Sequence, residues 1–240
     1  MTKLRTASLT DIGRMRSENE DELLYDEKSQ IFGVADGVGG LPGGAEAARE
    51  TTRIIRQEIT SQPANAPLEL TRAVHRANDA VIALGRVISP ATGIASTLTF
   101  GCVRDQRMYL AHVGDSRCYL LRDGNFSRVT EDHSVENDAK VRRARGEVVH
   151  YLESNRHALS RCIGQPTPPD VDLATNPLMA GDRYLFCTDG VTRMIGDREL
   201  GTLLGQPIEP FMLIERIVKL AVNRGGPDNA TGVVVMVDAA

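Results

Sequence analysis

The chain has no tryptophan, and aromatic residues make up only 4% of it, so any core of its 240 residues is built from aliphatic side chains. Its four cysteines, Cys102, Cys118, Cys162 and Cys187, form no C-x-x-C pair, which leaves a zinc site without support. Three of them, Cys102, Cys118 and Cys187, fall in apolar strand-like runs and read as small buried hydrophobes. Without a disulfide framework the expected setting is a reducing cytoplasm. No window approaches 18 consecutive apolar residues and the N-terminal MTKLRTASLTDIG has no apolar leader, so neither a membrane span nor a signal peptide is expected. Basic residues are not in excess: 28 Lys and Arg face 32 Asp and Glu, a net charge of -4, which argues against nucleic acid as a partner. Repeats, low-complexity tracts and an obvious linker are also missing, and one domain spanning 1–240 is expected. The N-x-S/T sequons at Asn125 and Asn229 are chance occurrences in a cytoplasmic chain.

What is present is a grouped pattern of strands and helices. Short apolar runs at Thr6 to Thr10, Glu22 to Tyr25 and Ile31 to Ala35 predict strands. A helix is expected from Ala45 to about Thr60, with Ala47, Ala48, Thr51, Ile54, Ile55 and Ile59 on one side. The next, Leu68 to Ile88, carries the stripe Leu70, Val74, Ala77, Val81, Leu84 and Ile88 at alternating steps of four and three. Strands follow at Thr97 to Val103, Met108 to Val113, Arg117 to Arg122 and Phe126 to Thr130, with Asp123-Gly124 as a hairpin turn; in succession they predict an antiparallel meander. Asp132 to Gly164 is polar and weakly periodic, expected as a short helix and an irregular excursion. Tyr184 to Cys187 and Thr231 to Val237 read as strands, and Phe211 to Asn223 as a helix. Grouping rather than strict alternation favours α+β.

Acidic signatures are scattered along this frame: RSENED (Arg16 to Asp21), VADGVGG (Val34 to Gly40), VGDSR (Val113 to Arg117), CTDG (Cys187 to Gly190) and PDN (Pro227 to Asn229). Taken singly, Asp36, Asp115, Asp189 and Asp228 are turn residues at strand ends. Taken together, carboxylates without thiolates are the donor set of a hard divalent cation. The glycine-rich loop after Asp36 raises a nucleotide-binding alternative, but in G-x-G-x-x-G counted from Gly37 the third glycine falls on Pro42. A Walker loop is absent, and a cysteine-based phosphatase is not expected.

The segments TDIGRMRSENED, FGVADGVGG, ASTLTFGCV, AHVGDSRCYL, VTEDHS, LSRCIG, RYLFCTDGVT and PDNATGVVV run in order from Thr10 to Val235. In this the chain resembles the bacterial metal-dependent Ser/Thr protein phosphatases of type 2C. The resemblance implies an α-β-β-α sandwich of two antiparallel sheets flanked by helices, with two Mn2+ or Mg2+ ions between the sheets. It implies that Asp36 bridges the two ions, that the Gly37 carbonyl completes one, and that Asp189 and Asp228 hold the other. Asp21 would bind a metal or a water on it, with Glu20 and Asn229 behind the ligands, and Asp115 with Asp189 would support a weaker third ion. Arg16 would grip the substrate phosphate, for which its fork is better suited than a lysine. Two cations neutralise a phosphate monoester and ready a water for in-line attack, so no phospho-enzyme is expected.

Some positions depart from the family pattern. Val38 and Leu41 stand where some members carry a histidine, so the leaving group's proton is expected from a water on the ions, and His133 is read as structural rather than as that acid. No role falls to His75, His112, His150 or His157. Ala45 stands where relatives often have Glu. The segment 132–164 corresponds to the family's flap, and its basic residues Lys140, Arg142, Arg143 and Arg145 are read either as a solvated face or as an attractor of phosphorylated substrate. The implied partners are phosphoproteins and a Ser/Thr kinase pathway, in kinase signalling, cell-wall control or type VI secretion, with the protein a monomer. The alternative is a pseudophosphatase that binds phosphoproteins without turnover, disfavoured because Arg16, Asp21, Asp36, Asp189 and Asp228 are all present.

Overall fold

The computed structural model describes residues 2–39 and 42–239; Gly40 and Leu41 of the glycine-rich loop lie outside the described residues. The elements in chain order begin with β1 (Lys3–Asp11), β2 (Asp21–Asp26), β3 (Ile31–Asp36), α1 (Gly44–Thr60) and α2 (Leu70–Ile88). The middle of the chain forms β4 (Leu98–Arg104), β5 (Arg107–Val113), β6 (Arg117–Arg122), β7 (Asn125–Arg128) and α3 (Val135–Ala144). The remainder is β8 (Asp172–Pro177), β9 (Arg183–Cys187), α4 (Asp189–Thr192), α5 (Asp197–Leu204), α6 (Pro210–Asn223) and β10 (Ala230–Ala239).

Two antiparallel five-stranded sheets result, in the orders β1-β10-β9-β6-β7 and β2-β3-β4-β5-β8. The side-chain period of two decides which residues join which layer. Along β10, Val233, Val235 and Val237 point between the sheets, where they meet Phe32, Val34, Met108 and Phe186. Val234 and Met236, the alternate residues, point outward under α6, against Leu213, Ile217 and Val218. On the other side α1 and α2 cover the second sheet, with Ile55, Val74 and Val81 over Leu24, Leu98 and Phe100. Each such aliphatic side chain contributes about 1.5–3 kcal/mol by leaving water. The layers are therefore α-β-β-α, the aromatic-poor sandwich expected, and Cys102, Cys118 and Cys187 lie in its core.

Two hairpins close on two-residue turns with left-handed backbones, Asp105-Gln106 (φ 49° and 58°) and Asp123-Gly124 (φ 50° and 76°). Such turns match the twist of the flanking strands. The expected single meander does not form. β5 stays in the second sheet, β6 belongs to the first, and the chain changes sheets at Gly114–Ser116. The cause is local: Gly114 has φ +118°, and a Cβ there would lie 2.6 Å from Thr97 Cβ, so the backbone turns a corner only glycine permits. That corner carries Asp115 to the end of the sandwich.

Other differences are smaller. α2 starts at Leu70, and its stripe is buried through Val81 and then Gly85, whereas Ile88 is 37% exposed. β8 and α5 were not expected: β8 is a largely exposed edge strand without apolar alternation, and α5 is only eight residues long. Within 132–164, Ser134 caps α3 by accepting the Asn137 N–H, and a single 3-10 turn covers Glu153–Asn155. The Ser96–Ile163 bridge then returns the segment to the sandwich.

Candidate metal centre

One end of the sandwich gathers the acidic signatures. Asp21 opens β2 and Asp36 closes β3, and the antiparallel register sets them directly opposite each other. Hydroxyls support this pair. Thr188 Oγ1 donates to Asp21 Oδ2 at 2.8 Å, and the Asp36 N–H donates to Thr97 Oγ1 at 3.0 Å, which in turn meets Ser116 Oγ at 2.8 Å. Gly37 follows in the tightest surroundings of the loop: a Cβ there would stand 2.2 Å from the Gly44 carbonyl oxygen, so no other residue fits beside the start of α1. Its N–H donates to the Glu20 carbonyl at 3.0 Å.

The first sheet supplies the other acids. Asp189 heads α4 directly after β9, and Asp228 stands two residues before β10. Gly190 lets α4 approach the Asp228-Asn229 backbone, since a Cβ on it would collide with the Asn229 carbonyl. Asn229 fastens the RSENED loop here. Its Oδ1 accepts the Glu20 N–H at 2.8 Å, and its Nδ2 donates to the carbonyls of Ile12 and Glu18 at 2.8 and 3.0 Å. Arg16 then crosses to Asp228, with Nη2 2.9 Å from Oδ1, while Nη1 donates to Glu20 at 3.1 Å. Its path runs under Gly39, where a Cβ would lie 2.6 Å from Nη1.

The electrostatics are those of a charge excess. Burial pushes Asp21 up to about 7. Burial, followed by the charges of Asp21 and Asp189, holds Asp36 well above the usual carboxylate range. Asp115 at its corner is likewise pushed up to about 7, by burial and then by Asp189. Burial also raises Asp189, against the opposing pull of Arg193. Asp21 Oδ1 and Asp189 Oδ1 are buried with no hydrogen-bond partner. An unpartnered buried carboxylate oxygen is costly unless a cation meets it. The donor set, all oxygen, therefore fits a hard divalent ion. Among the described residues no three acids are already drawn into a cation cage. Two guanidinium groups stand among them instead: that of Arg16, and that of Arg193, which pairs with both Asp189 and Asp228.

Asp21, Asp36, Gly37, Asp189, Asp228, Arg16, Glu20 and Asn229 thus share one end of the molecule, with Asp115 on its edge. A cleft of about 330 Å3 leads in beside Asp115, Asp189, Arg193 and Lys140. A larger groove of about 650 Å3, along the end of α2, contains none of these acids. Of Lys140, Arg142, Arg143 and Arg145, Lys140 lines the cleft, as does the flap's His157; Arg142 pairs with Glu147, and Arg143 bonds the Val149 carbonyl and lies over Tyr151. His133 is 2% exposed, its Nδ1 accepts the Gly114 N–H at 3.1 Å, and Nε2 lies 3.1 Å from Asp172. Both nitrogens are engaged, so it is structural. Sequence reasoning missed Thr97, Thr188 and Arg193. The two threonines sit beside matched acids, but threonine in a strand is ordinary.

Residues 6–171 match the family model described as protein phosphatase 2C. The chain is 32% identical over 233 residues to the serine/threonine protein phosphatase PstP of Mycobacterium tuberculosis, covering 96% of this chain and 44% of that protein. It therefore spans less than half the length of that relative. Among solved structures, the catalytic domain of PstP in complex with two manganese ions superposes with a TM-score of 0.83 at 32% identity, covering 99% of each chain. PppA, described as a key regulatory component of T6SS in Pseudomonas aeruginosa, superposes with a TM-score of 0.82 at 27% identity, covering 98% of this chain and 97% of that one.

Proposed function

The chain belongs to the protein phosphatase 2C family, and from that premise we propose that it hydrolyses phosphoserine and phosphothreonine in proteins with the help of two Mn2+ or Mg2+ ions. The observation that carries the proposal is the pair of buried, unpartnered oxygens in one carboxylate cluster, Asp21 Oδ1 at the start of β2 and Asp189 Oδ1 at the head of α4. Asp36 would serve both ions, the Gly37 carbonyl and Asp21 one side, and Asp189 with Asp228 the other. Asp115, at the sheet-changing corner, would join Asp189 at a third position. When bound, the ions neutralise the phosphate and lower the pKa of water.

The chain's own residues do the rest. Thr188 and Thr97 fix the Asp21 and Asp36 side of the cluster, and Asn229 holds the loop that carries Arg16. Arg16 offers a guanidinium fork, a third exposed, to two phosphate oxygens. Hydrolysis forms one bond from a water oxygen to phosphorus and breaks the bond from phosphorus to the Ser or Thr oxygen, releasing the alcohol and inorganic phosphate. The leaving oxygen needs a proton, and solvent supplies it, since His133 is engaged on both nitrogens. Lys140 at the cleft favours substrates carrying further negative charge.

The single domain acts in this reading opposite a Ser/Thr kinase. A type VI secretion setting draws support from the likeness to PppA, and a reducing cytoplasm from the four free cysteines. Among the described residues no helix is long and apolar enough to cross a membrane. The test is phosphate release from a phosphothreonine peptide with Mn2+, with chelator, and with Asp36→Asn. Release that needs Mn2+ and is lost in the variant is expected. Peptide binding without release would make this a pseudophosphatase, and release indifferent to chelator would exclude the two-ion reaction.

A further inference from the structure

Arg193 lies one residue beyond the CTDGVT segment, and nothing so far gives it a task. It follows α4, and its N–H donates to the Asp189 carbonyl at 2.8 Å, so its backbone is fixed beside the acid. Its side chain doubles back. Nη2 pairs with the Asp189 carboxylate, and Nη1 lies 3.3 Å from Asp228 Oδ2. One guanidinium thus joins carboxylates from two separate segments. The partners are unlike in exposure: the Arg193 side chain is 44% exposed, against 12% for Asp189 and 16% for Asp228. Arg193 caps the acid pair from the solvent side, and Asp189 Oδ1 behind it is still unpartnered. Its head stands on the cleft of about 330 Å3, which gives it room to turn outward.

We propose that Arg193 is a tethered counter-ion that competes with a divalent cation for Asp189 and Asp228, and that it swings to the cleft when the cation binds. This rests on the reading of those two aspartates as cation ligands. Lone pairs engaged by the guanidinium are not free for a metal, and two positive groups a few ångströms apart repel strongly where water is scarce. An exposed arginine gives way readily, because a surface ion pair is weak. Arg193 therefore sets how much free cation the protein needs. It also keeps the acid pair from standing uncompensated when cation is scarce. Arg16 is different: it is less exposed, and its fork is shared with Glu20.

Calorimetric titration of the whole chain with Mn2+ tests this, comparing wild type with Arg193→Gln, Arg193→Lys and Arg128→Gln. Arg128 lines the same cleft but pairs with Glu131 and Asp132, not with the two acids. Arg193→Gln should bind its weaker Mn2+ about tenfold more tightly, a change of about 1.4 kcal/mol. Arg193→Lys should fall between, and Arg128→Gln should stay within about twofold of wild type. In melting experiments Arg193→Gln should lower the midpoint without metal and leave it unchanged with saturating Mn2+. Equal affinity in wild type and Arg193→Gln would overturn the proposal. So would an equal gain in Arg128→Gln, which would make the effect one of general charge. Asp189→Asn separates the two levels: if it binds Mn2+ as wild type does, Asp189 is not a ligand, and the site reading fails there before the role of Arg193 is reached.

Discussion

The two halves of the acidic cluster are held by different chemistry. On the second sheet Asp21 and Asp36 face each other across a hairpin; the Thr188 hydroxyl donates to the Asp21 carboxylate, and Thr97 accepts the Asp36 backbone N–H. On the first sheet Asp189 and Asp228 are held by charged groups, the guanidiniums of Arg16 and Arg193. A hydroxyl orients a carboxylate and leaves its charge intact, whereas a guanidinium also cancels that charge. The hydroxyl half is thus a floor in which no cationic side chain offsets the acids, and burial raises both of them above the usual carboxylate range. The guanidinium half is a rim whose charge is already contested. The fold positions the two halves differently: Asp21 and Asp36 end paired strands, the edge strand β2 and the buried inner strand β3, while Asp189 begins α4 and Asp228 precedes β10.

The sharpest way to break the comparison is to remove charge from the floor. Asp36→Asn should lower phosphate release on the order of 10³-fold, measured as kcat on a phosphothreonine peptide, with an unchanged circular dichroism spectrum. On the rim, Arg16→Lys keeps the charge but loses the fork. It should cost about 10- to 100-fold in kcat/KM, the worth of one or two charge-assisted hydrogen bonds. Thr188→Val should cost about 1–3 kcal/mol of stability in urea unfolding, because it leaves Asp21 Oδ2 without its donor beside an already unpartnered Oδ1. If that variant were as stable as wild type, the floor would not be held by its hydroxyls.

The backing of the floor has its own signature. His112 is buried on β5, bonded to Thr99 Oγ1 of β4 at 2.8 Å and to the Glu131 carbonyl at 2.8 Å. Burial, and then the neighbouring His133, lowers it from 6.5 to about 3. The unfolded chain therefore takes up a proton below about 6.5 that the folded site refuses until about 3. The stability that neutral His112 contributes is complete above the upper value and is lost as pH falls through this window. The loss is about 1.4 kcal/mol per pH unit. His112→Asn should flatten that slope in unfolding measured between pH 6 and 4, whatever its stability at neutral pH. The smallest effect is at the cleft: Lys140→Ala should raise KM about two- to fivefold on a phosphoprotein and leave KM on an aryl phosphate unchanged.

Much of this was legible in the chain. The valines of β10 and the stripe of α2 fix their layers by period alone, and ordered acidic segments placed Asp36, Asp189 and Asp228 at strand ends that do converge. The sheet assignment was not legible. Three residues between β5 and β6 look like a hairpin turn, and only the left-handed Gly114, wedged against Thr97, sends β6 into the other sheet. Thr188 and Arg193 were hidden for a different reason. Thr188 meets Asp21, 167 positions away, and Arg193 meets Asp228, 35 away, contacts that no periodicity reports; only the pairing of Arg193 with Asp189, four residues back, has a local spacing.

The central claim is that acids from both sheets share the same cations through Asp36. Titrating wild type and Asp36→Asn with Mn2+ by calorimetry tests it most directly. Two equivalents in wild type and a large loss of affinity for both in the variant are the predicted result. A variant that binds one equivalent with unchanged affinity would show that Asp36 serves a single ion, and the shared centre would be wrong.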